Sequence, residues 1–362
     1  MRKPDWPNIH EEKRFNAMTL PLALLSLLYG LAIRLRLIIG KKKQKSALPG
    51  FVLSIGNLTV GGTGKTPAAC MLADWALGEG HNVAVLSRGY GGSYKTKVFV
   101  VSDGHDIKAG PERVGDEPFL LARRLRGVPV IISKNRYQAG LIAHKKFGSS
   151  FFILDDGFQH QSLKRDFDIV LIDASTPFGN GHLLPWGPLR EPVEQLSRAD
   201  TIILTRSGRT SPEYNLDKVL REKSQGKPLF RGDHIPEKVV FPFKDITYDP
   251  GFLKGKSVMA FAGIARPELF KNSLVNLGAH LVSFRSFRDH HPFCPGEIRE
   301  LDKEKKETGA DYLITTEKDW VRLENIVPDY PELAYLKIRF TLLSEQEHFF
   351  RVIKERIAKR DY

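Results

Sequence analysis

Residues 56–67, GNLTVGGTGKTP, have the composition of a loop that binds nucleotide phosphates. Three glycines allow the tight turns in which successive backbone N–H groups point at phosphate oxygens, and these are Gly61, Gly62 and Gly64. Lys65 can reach the β- and γ-phosphates, and the Thr66 hydroxyl can bind Mg²⁺. The loop lies between a predicted strand and a predicted helix, as a P-loop requires. The sequence therefore predicts a P-loop phosphotransferase.

Thr59 is the one departure from the strict spacing GxxxxGK[ST], which places a glycine at that position. A glycine-rich turn without function can also contain G-G-T-G, but the Lys-Thr pair between a strand and a helix favours phosphate binding. The residues predicted to contact the nucleotide are Thr59, Gly61, Gly62, Thr63, Gly64, Lys65 and Thr66.

Two adjacent carboxylates, Asp155 and Asp156, end the apolar run 151–155 and precede a glycine. In a P-loop fold, an acidic residue at the end of a neighbouring strand completes the shell of the Mg²⁺ ion. The alternative is an Asp-Gly turn with solvated carboxylates. A strand that runs directly into the pair favours the metal site, and it leaves open which of the two binds the ion.

Two further polar segments have two interpretations each. Asp116 and Glu117 precede a predicted helix, where they form either a helix cap or the site of a catalytic base. His290 and His291 follow Asp289, which can tune an imidazole, although such a pair is also typical of a surface turn.

The elements that must position these residues alternate between short apolar runs and amphipathic stretches. This pattern is typical of βαβ units, and continuous apolar strands indicate a parallel sheet covered on both faces. The predicted strands of a first block are 51–55, 83–87, 98–102, 128–133, 151–155, 169–173 and 201–205. Its predicted helices are 66–80, 118–125 and 135–147. The glycine-rich segment 87–92 follows a strand, so we expect it at the carboxyl edge where ligands bind.

A second block starts near residue 230 and repeats the alternation. Its predicted strands are 257–264, 280–284, 312–316 and 333–340, and its predicted helices are 266–277 and 296–308. In the tail, one helical face predicted to dock on a domain carries Phe349, Phe350, Ile353 and Ile357. A chain of 362 residues suits two domains, so we predict an N-terminal segment 1–48, a P-loop domain 49–229 and a smaller C-terminal α/β domain 230–362.

The N-terminal stretch 17–33 carries no charge. It is followed by a basic cluster of Arg34, Arg36, Lys41, Lys42, Lys43 and Lys45. A spanning helix needs roughly 20 apolar residues, and a cleaved signal peptide has different flanks. We interpret the stretch as a helix lying in or partly entering the cytoplasmic leaflet, with the basic cluster on anionic head groups. A helix packed on the protein's own core is the alternative.

The net charge of +13 indicates an anionic partner, which is a nucleic acid, a nucleotide or an acidic membrane. The basic residues are not interleaved with aromatic residues in one patch, which argues against nucleic acid. The two cysteines, Cys70 and Cys294, lie far apart and form no Cys/His cluster, which argues against a structural zinc site.

Seven segments, in this order, resemble one family, the tetraacyldisaccharide 4′-kinases, which are the lipid A 4′-kinases of Gram-negative bacteria. The segments are GNLTVGGTGKTP, SRGYGG, VGDEP, DDGFQH, FGNGHLLPWGPLREP, DHH and TTEKD. The matching part of the chain runs from about residue 51 to 319. Thr59 is the usual residue of the family's loop, so the departure from the strict motif supports the resemblance.

The resemblance implies transfer of the ATP γ-phosphate to the 4′-hydroxyl of tetraacyldisaccharide 1-phosphate, with Mg²⁺, at the cytoplasmic face of the bacterial inner membrane. It implies Asp116 as the catalytic base, His290 as its partner in a dyad and Lys65 on the transferred phosphate. The metal ligands that it implies are Thr66, Asp155, Asp156 and Glu191. The implied partners are the lipid A precursor and an anionic membrane surface, with no nucleic acid and no obligate protein partner. The implied fold is a P-loop domain facing a smaller α/β domain.

Two other classes fit part of the sequence. A ligase or a soluble kinase with a P-loop does not need an apolar N-terminal stretch, and its product carries phosphate on another acceptor. A membrane-associated NTPase switch hydrolyses ATP or GTP without an acceptor, with Asp116 holding water. Phosphate transfer to a lipid acceptor separates the three.

Overall fold

The computed structural model describes residues 10, 19–42, 44–209, 214–327 and 329–360. The described residues form thirteen strands, β1 (Phe51–Asn57), β2 (Val83–Ser87), β3 (Phe99–Ser102), β4 (Val130–Ile132), β5 (Phe151–Asp155), β6 (Phe167–Asp173), β7 (Thr201–Thr205), β8 (Leu229–Phe241), β9 (Ile246–Tyr248), β10 (Ser257–Ala262), β11 (His280–Ser286), β12 (Tyr312–Thr316) and β13 (Leu333–Leu342). They make one sheet in the order β11-β10-β12-β13-β8-β7-β6-β1-β5-β2-β4-β3, and β9 pairs with β8 alone.

The α-helices in the described part of the chain are α1 (Leu20–Lys42), α2 (Lys65–Gly78), α3 (Pro111–Val114), α4 (Asp116–Arg124), α5 (Arg136–Phe147), α6 (Tyr214–Lys223), α7 (Pro267–Asn276), α8 (Pro295–Glu307), α9 (Glu317–Leu323) and α10 (Gln346–Ala358). Three short 3₁₀-helices cover Val193–Arg198, Ser207–Arg209 and Pro250–Leu253. Every predicted helix and strand after residue 49 is present, with ends shifted by at most a few residues.

Strands β1 to β7 form the first half of the sheet, and β10 to β13 form the second half. Within the first half, β1 lies between β5 and β6 and is parallel to both. All its residues are buried, as are those of β2, β5, β6 and β7. Only β3, at the edge, runs antiparallel to its neighbour in this half. Apolar clusters cover both faces. The predicted α/β fold with a P-loop-type parallel sheet is confirmed, and the carboxyl ends of these strands form one edge.

The long strand β8 joins the two halves and is not predicted from the sequence. Its first residues, Leu229 to Gly232, pair in parallel with β7, and Gly232 to Val240 pair antiparallel with β13. Polar residues and a proline interrupt its sequence, LFRGDHIPEKVVF, so it lacks the apolar run that marks the other strands. Because the sheet continues through this strand, it crosses the boundary placed at 229/230. The division into domains stays a prediction.

The C-terminal helix α10 docks on the first half of the sheet. Phe349 and Ile353 are buried in the apolar cluster that also contains residues of α2 and β1. Phe350 stacks on Trp75 of α2 with 4.7 Å between ring centroids. The C-terminal segment therefore covers the helix that follows the glycine-rich loop.

Helix α1 extends beyond the predicted stretch 17–33, whose first two residues lie outside the described part. One side docks on the protein, where the Ser26 hydroxyl donates to Leu183 O at 2.8 Å and the Tyr29 hydroxyl to Arg190 O at 2.9 Å. Leucines and isoleucines cover the other side, and the most exposed is Leu27, at 71%. By length and composition, the segment Leu20–Gly40 is the one described helix able to cross a membrane.

Candidate active site

The glycine-rich loop connects β1 to the first turn of α2, and we call residues 56–66 the phosphate loop. Gly64 precedes the helix with φ of 81°, and a Cβ there would lie 1.8 Å from Nε2 of His234, so only glycine fits. Lys65 begins the helix, and the buried Thr66 follows it. The first-turn N–H groups and the dipole of a fourteen-residue helix favour a phosphate at this position. The structure therefore places Lys65 and Thr66 in the first turn of α2, where a phosphate would be favoured.

The rest of the phosphate loop is held by contacts on both sides. Thr59 forms a bridge with Leu189. Gly61 has φ of 106°, and the carbonyl of Gly62 accepts a hydrogen bond from Arg206 Nη2 at 2.6 Å. The hydroxyl of Thr63 is buried and has no hydrogen-bond partner among the described residues.

Asp155 and Asp156 stand at the carboxyl end of β5, beside β1. The Lys65 ammonium is 3.5 Å from Asp156 Oδ1, and Arg190 Nη1 donates to both oxygens of Asp156 at 2.9 Å. Burial raises the pKa of Asp156, but Lys65 and Arg190 outweigh it and lower the pKa to about 2. This carboxylate is ionised and already paired with cations.

The pKa of Asp155 shifts in the opposite direction from that of Asp156. Asp155 is buried, its Oδ2 accepts from the Ser87 hydroxyl at 3.1 Å, and its Oδ1 has no hydrogen-bond partner in the described part of the protein. Burial, Glu117 and Asp156 raise its pKa to about 7. A buried carboxylate oxygen that lacks a partner, beside a phosphate-binding helix, fits a cation.

Mg²⁺ is bound through one or two carboxylates together with phosphate oxygens and water, so it needs no cluster of protein ligands. Within the described ranges, no group of three or more His, Cys, Asp or Glu residues can hold a metal ion. Asp155 and the Thr66 hydroxyl fit the smaller requirement. Glu191, the fourth predicted ligand, is buried and pairs with Arg198. Burial raises the pKa of Glu191, and Arg198 opposes that effect.

Asp116, at the start of α4, and His290, in the segment after β11, are in contact although their elements flank opposite halves of the sheet. Nδ1 of His290 lies 2.8 Å from Oδ2 of Asp116, and Arg322 Nε lies 3.3 Å from the same oxygen. Burial raises the pKa of Asp116, but the hydrogen bond to His290 and the charge of Arg322 outweigh it and lower the pKa. The predicted pair of residues therefore forms a dyad that joins the two halves of the protein, and the carboxylate of Asp116 is ionised.

The turn before α4 fixes the position of Asp116. Gly115 has φ of 92°, and a Cβ there would lie 2.3 Å from Tyr90 O. Tyr90 belongs to the segment 87–92, so this segment packs against the turn that carries the dyad carboxylate. Asp116 also stands in the first turn of α4, where an acidic residue stabilises the helix. The two interpretations of Asp116, helix start and catalytic base, are therefore compatible.

His291 points to a different partner from His290. Its Nε2 lies 2.8 Å from Oε1 of Glu297, in the first turn of α8. His290 has φ of 55°, in the left-handed region that non-glycine residues seldom adopt. The structure thus separates the two histidines, which spacing in the sequence cannot do.

Several residues at the site were missed from the sequence. Arg190 binds Asp156, Arg206 holds the phosphate loop, and Arg322 flanks Asp116. Arg190 adjoins Glu191 within the PLREP motif, so the motif itself was an available signal. Arg322 lies three residues after Asp319 of TTEKD, where a helix brings the two side chains together. No pattern near Arg206 singles it out.

A P-loop with a pair of carboxylates beside it and a carboxylate–histidine dyad close by indicates an enzyme of the P-loop phosphotransferase class. Residues 18–358 match the family model described as tetraacyldisaccharide-1-P 4′-kinase, LpxK. The chain belongs to this family, so it is an ATP-binding kinase of lipid A biosynthesis. The predictions of the family, the enzyme class and ATP are confirmed.

Relatives and a solved structure support this membership along most of the chain. The tetraacyldisaccharide 4′-kinase of Pelobacter propionicus is 41% identical over 82% of this chain and 81% of its own. That of Syntrophus aciditrophicus is 40% identical over 88% of each chain. The structure of LpxK from Aquifex aeolicus in complex with ATP is 33% identical, with a TM-score of 0.75, over 94% of this chain and 99% of that one.

Proposed function

We propose that this chain transfers the γ-phosphate of ATP to the 4′-hydroxyl of tetraacyldisaccharide 1-phosphate, with Asp116 as the base. The observation that carries the proposal is the contact of 2.8 Å between Asp116 and His290, which joins the half with the phosphate loop to the other half. A sugar hydroxyl is a poor nucleophile, so its proton needs an acceptor as the bond to phosphorus forms.

Asp116 is suited to accept that proton. His290 and Arg322 both contact Oδ2, which leaves Oδ1 as the oxygen available to a substrate hydroxyl. The proton moves from the hydroxyl oxygen to Oδ1 while this oxygen forms a bond to the γ-phosphorus. The bond between the γ-phosphorus and the β–γ bridging oxygen breaks, and ADP leaves with that oxygen. The low pKa of the carboxyl keeps it ionised and ready at neutral pH.

Lys65 and the N–H groups of the phosphate loop bind and orient the phosphates. Asp155 and Thr66 would hold Mg²⁺, which when bound neutralises charge on the phosphates. Asp155 is the better ligand of the acidic pair because Asp156 is already paired with Lys65 and Arg190. Asp156 instead positions the Lys65 ammonium. Glu191 is a weaker candidate because Arg198 pairs with it.

The helix α1 would bring this site to the cytoplasmic face of the inner membrane. The segment 182–190 contacts α1 on one side and the phosphate loop on the other, where Val60 N donates to Pro188 O at 2.8 Å. The exposed leucines face away from the protein, and basic residues follow them. A lipid held by its acyl chains at α1 would therefore present its sugar near the phosphates. Such a lipid and an anionic surface account for part of the net charge of +13.

The test of the reaction uses γ-labelled ATP, Mg²⁺ and the lipid in detergent micelles, beside the same lipid with its 4′-hydroxyl removed. Label on the intact lipid and none on the 4′-deoxy lipid is the expected result. ATP consumption without labelled lipid would favour an NTPase switch, and label on both lipids would show a different acceptor. Either outcome would contradict the proposal.

The membrane role is tested with the exposed face of α1. Replacing Leu27, Leu28 and Leu31 by serine should lower transfer to lipid in vesicles and leave transfer to micellar lipid nearly unchanged. The matched control replaces Val275 and Leu343 by serine. Both are exposed and lie far from α1 in sequence, so this variant should act on vesicles as the wild type does. Equal activity of the α1 variant and the wild type on vesicles would refute this role.

A further inference from the structure

Lys318, in the first turn of α9, contacts the nitrogen of His290 that faces away from Asp116. Its Nζ lies 3.1 Å from Nε2 of His290. Nδ1 of the same ring lies 2.8 Å from Asp116. The imidazole therefore has a protein partner at each nitrogen, a carboxylate on one side and an ammonium on the other.

These two partners determine where the ring carries its proton. An ammonium group has three N–H donors and no acceptor, so Nε2 must be the acceptor in its contact with Lys318. The ring proton is then on Nδ1, and Nδ1 donates to Asp116 Oδ2. Asp289 does not offer Nε2 an alternative, because its Oδ2 is 3.9 Å away and beyond hydrogen-bond distance.

We propose that Lys318 is a positioning residue that holds His290 as the neutral tautomer with its proton on Nδ1. This inference rests on the proposed role of Asp116 as base. It assigns His290 the task of orienting Asp116 through a donated hydrogen bond. Nδ1 already carries a proton, so the proton taken from the substrate hydroxyl stays on Asp116. A second proton on Nε2 would place an imidazolium against the Lys318 ammonium.

Contacts on several sides keep Lys318 in this place. Its Nζ lies 3.5 Å from Asp289 Oδ1 and 3.9 Å from Glu117 Oε1, so carboxylates from both halves attract it. Thr316 caps its helix by accepting from Asp319 N at 3.1 Å. The preceding residue in the chain, Glu317, pairs with Arg124 of α4. The start of α9 is therefore fixed to the helix that carries Asp116.

Among the described residues, no group other than Lys318 donates to Nε2 of His290. The charged groups that face it are Asp116 and Arg322 through the dyad, Asp289 on its own segment, and Lys318. Its backbone N–H donates to Asp289 Oδ1 and to Gly263 O, and neither residue forms a hydrogen bond with the ring.

The protonation of the ring is read directly by ¹⁵N NMR of histidine-labelled full-length protein in detergent micelles near pH 8. Eleven histidines contribute signals, so His290→Gln identifies the signal of interest. We expect Nδ1 protonated and Nε2 unprotonated in the wild type. A proton on Nε2, alone or together with one on Nδ1, would overturn the proposal whether or not any variant folds.

Lys318→Met removes the ammonium that faces Nε2, while Asp116, which can only accept, still holds the ring proton on Nδ1. The variant should therefore take up a second proton, on Nε2, at pH values where the wild type remains singly protonated. Its kcat for lipid phosphorylation should fall about tenfold, with the KM for ATP unchanged, because the base is still present but less well oriented. Lys318→Arg retains an N–H donor and should restore both readouts. The matched control is Lys303→Met, at a lysine whose side chain is 78% exposed.

Two variants of His290 sharpen the assignment. An asparagine amide can donate from about the position of Nδ1, whereas a glutamine amide reaches the position of Nε2. His290→Asn should therefore retain more kcat than His290→Gln. If Nε2 in Lys318→Met stayed unprotonated over the same pH range as in the wild type, the proposal would be refuted and the kinase reaction would still stand. A wild type with the expected tautomer but no labelled lipid would instead refute the proposed function.

Discussion

The two sides of the site differ in how much of their polar chemistry the protein itself satisfies. On the side of the phosphate loop, Asn57 Nδ2, Thr63 Oγ1 and Asp155 Oδ1 are buried without a hydrogen-bond partner among the described residues. On the side of the dyad, Asp116 and His290 have partners from both halves of the chain, and the one buried nitrogen of Arg322 without a hydrogen bond in the described part of the chain, Nε, lies 3.3 Å from Asp116 Oδ2 in an ion pair. A buried polar group without a partner costs about 1–3 kcal/mol, so the first side stores a cost that a ligand can remove.

This difference indicates two kinds of preparation. The dyad is built before any ligand arrives, because Asp116, His290 and Lys318 fix one another. On the phosphate side, by contrast, a bound ligand would supply the hydrogen-bond partners that the buried polar groups lack. Residues on the phosphate side should therefore act on nucleotide binding, and residues on the dyad side should act on turnover or on stability.

The largest expected effect is at Lys65. Lys65→Met should lower kcat/KM about a thousandfold, because the ammonium that faces the phosphates is lost. It should also abolish the rise in melting temperature that ATP produces in the wild type. Thermal unfolding with and without ATP measures this, with Lys303→Met as the matched control. If ATP raised the melting temperature of Lys65→Met as much as that of the wild type, Lys65 would not act on nucleotide binding, and the proposed difference between the two sides would be wrong.

His290 should be more important for turnover than His291. His290→Ala should lower kcat about a hundredfold with little change in the KM for ATP, because Asp116 loses its orienting donor. His291→Ala removes the contact with Glu297 and should lower the melting temperature more than kcat. Steady-state kinetics and thermal unfolding of the two variants decide the point. The reverse order of kcat would show that the dyad is assigned to the wrong histidine.

Arg322 should affect stability on the dyad side. It donates to Asp319 Oδ1 at 2.7 Å and to His291 O at 2.8 Å, and its side chain is 9% exposed. Arg322→Met leaves the buried Asp319 carboxylate without this cation and should cost about 3 kcal/mol. Urea unfolding measures the loss. Arg285→Met, which breaks an exposed pair with Glu304, is the control and should cost far less.

The smallest effect concerns pH and His160, in the DDGFQH segment. Burial, then Arg136 and Arg165, lower the pKa of His160 from 6.5 to about 4. The unfolded chain takes up a proton near pH 6.5 and the folded protein does not, so stability falls as the pH drops from about 6.5 towards 4. His160→Gln should lose less melting temperature than the wild type between pH 7 and 5. Identical pH dependence of the two proteins would contradict the assigned environment.

Much of this fold could be predicted from the sequence because its strands are continuous apolar runs buried on both faces. β8 could not, since polar residues and a proline interrupt its apolar residues and its pairing with β7 and β13 depends on contacts distant in sequence. The phosphate loop was visible because glycine, lysine and threonine perform their roles within one short segment. The dyad was not visible from residue types, since Asp116 and His290 are 174 residues apart. Only the resemblance to a family joined them, and the contact with Lys318 came from the structure.

The role of Asp116 as the base is tested most directly by single-turnover transfer of the γ-phosphate from labelled ATP to the lipid 4′-hydroxyl by Asp116→Asn. Asparagine keeps the shape of the side chain but cannot accept the proton. We expect the rate of transfer to fall about a thousandfold or more, while ATP still raises the melting temperature. Asp106→Asn, at an exposed aspartate, should behave as the wild type. Transfer by Asp116→Asn within tenfold of the wild-type rate would show that Asp116 is not the base.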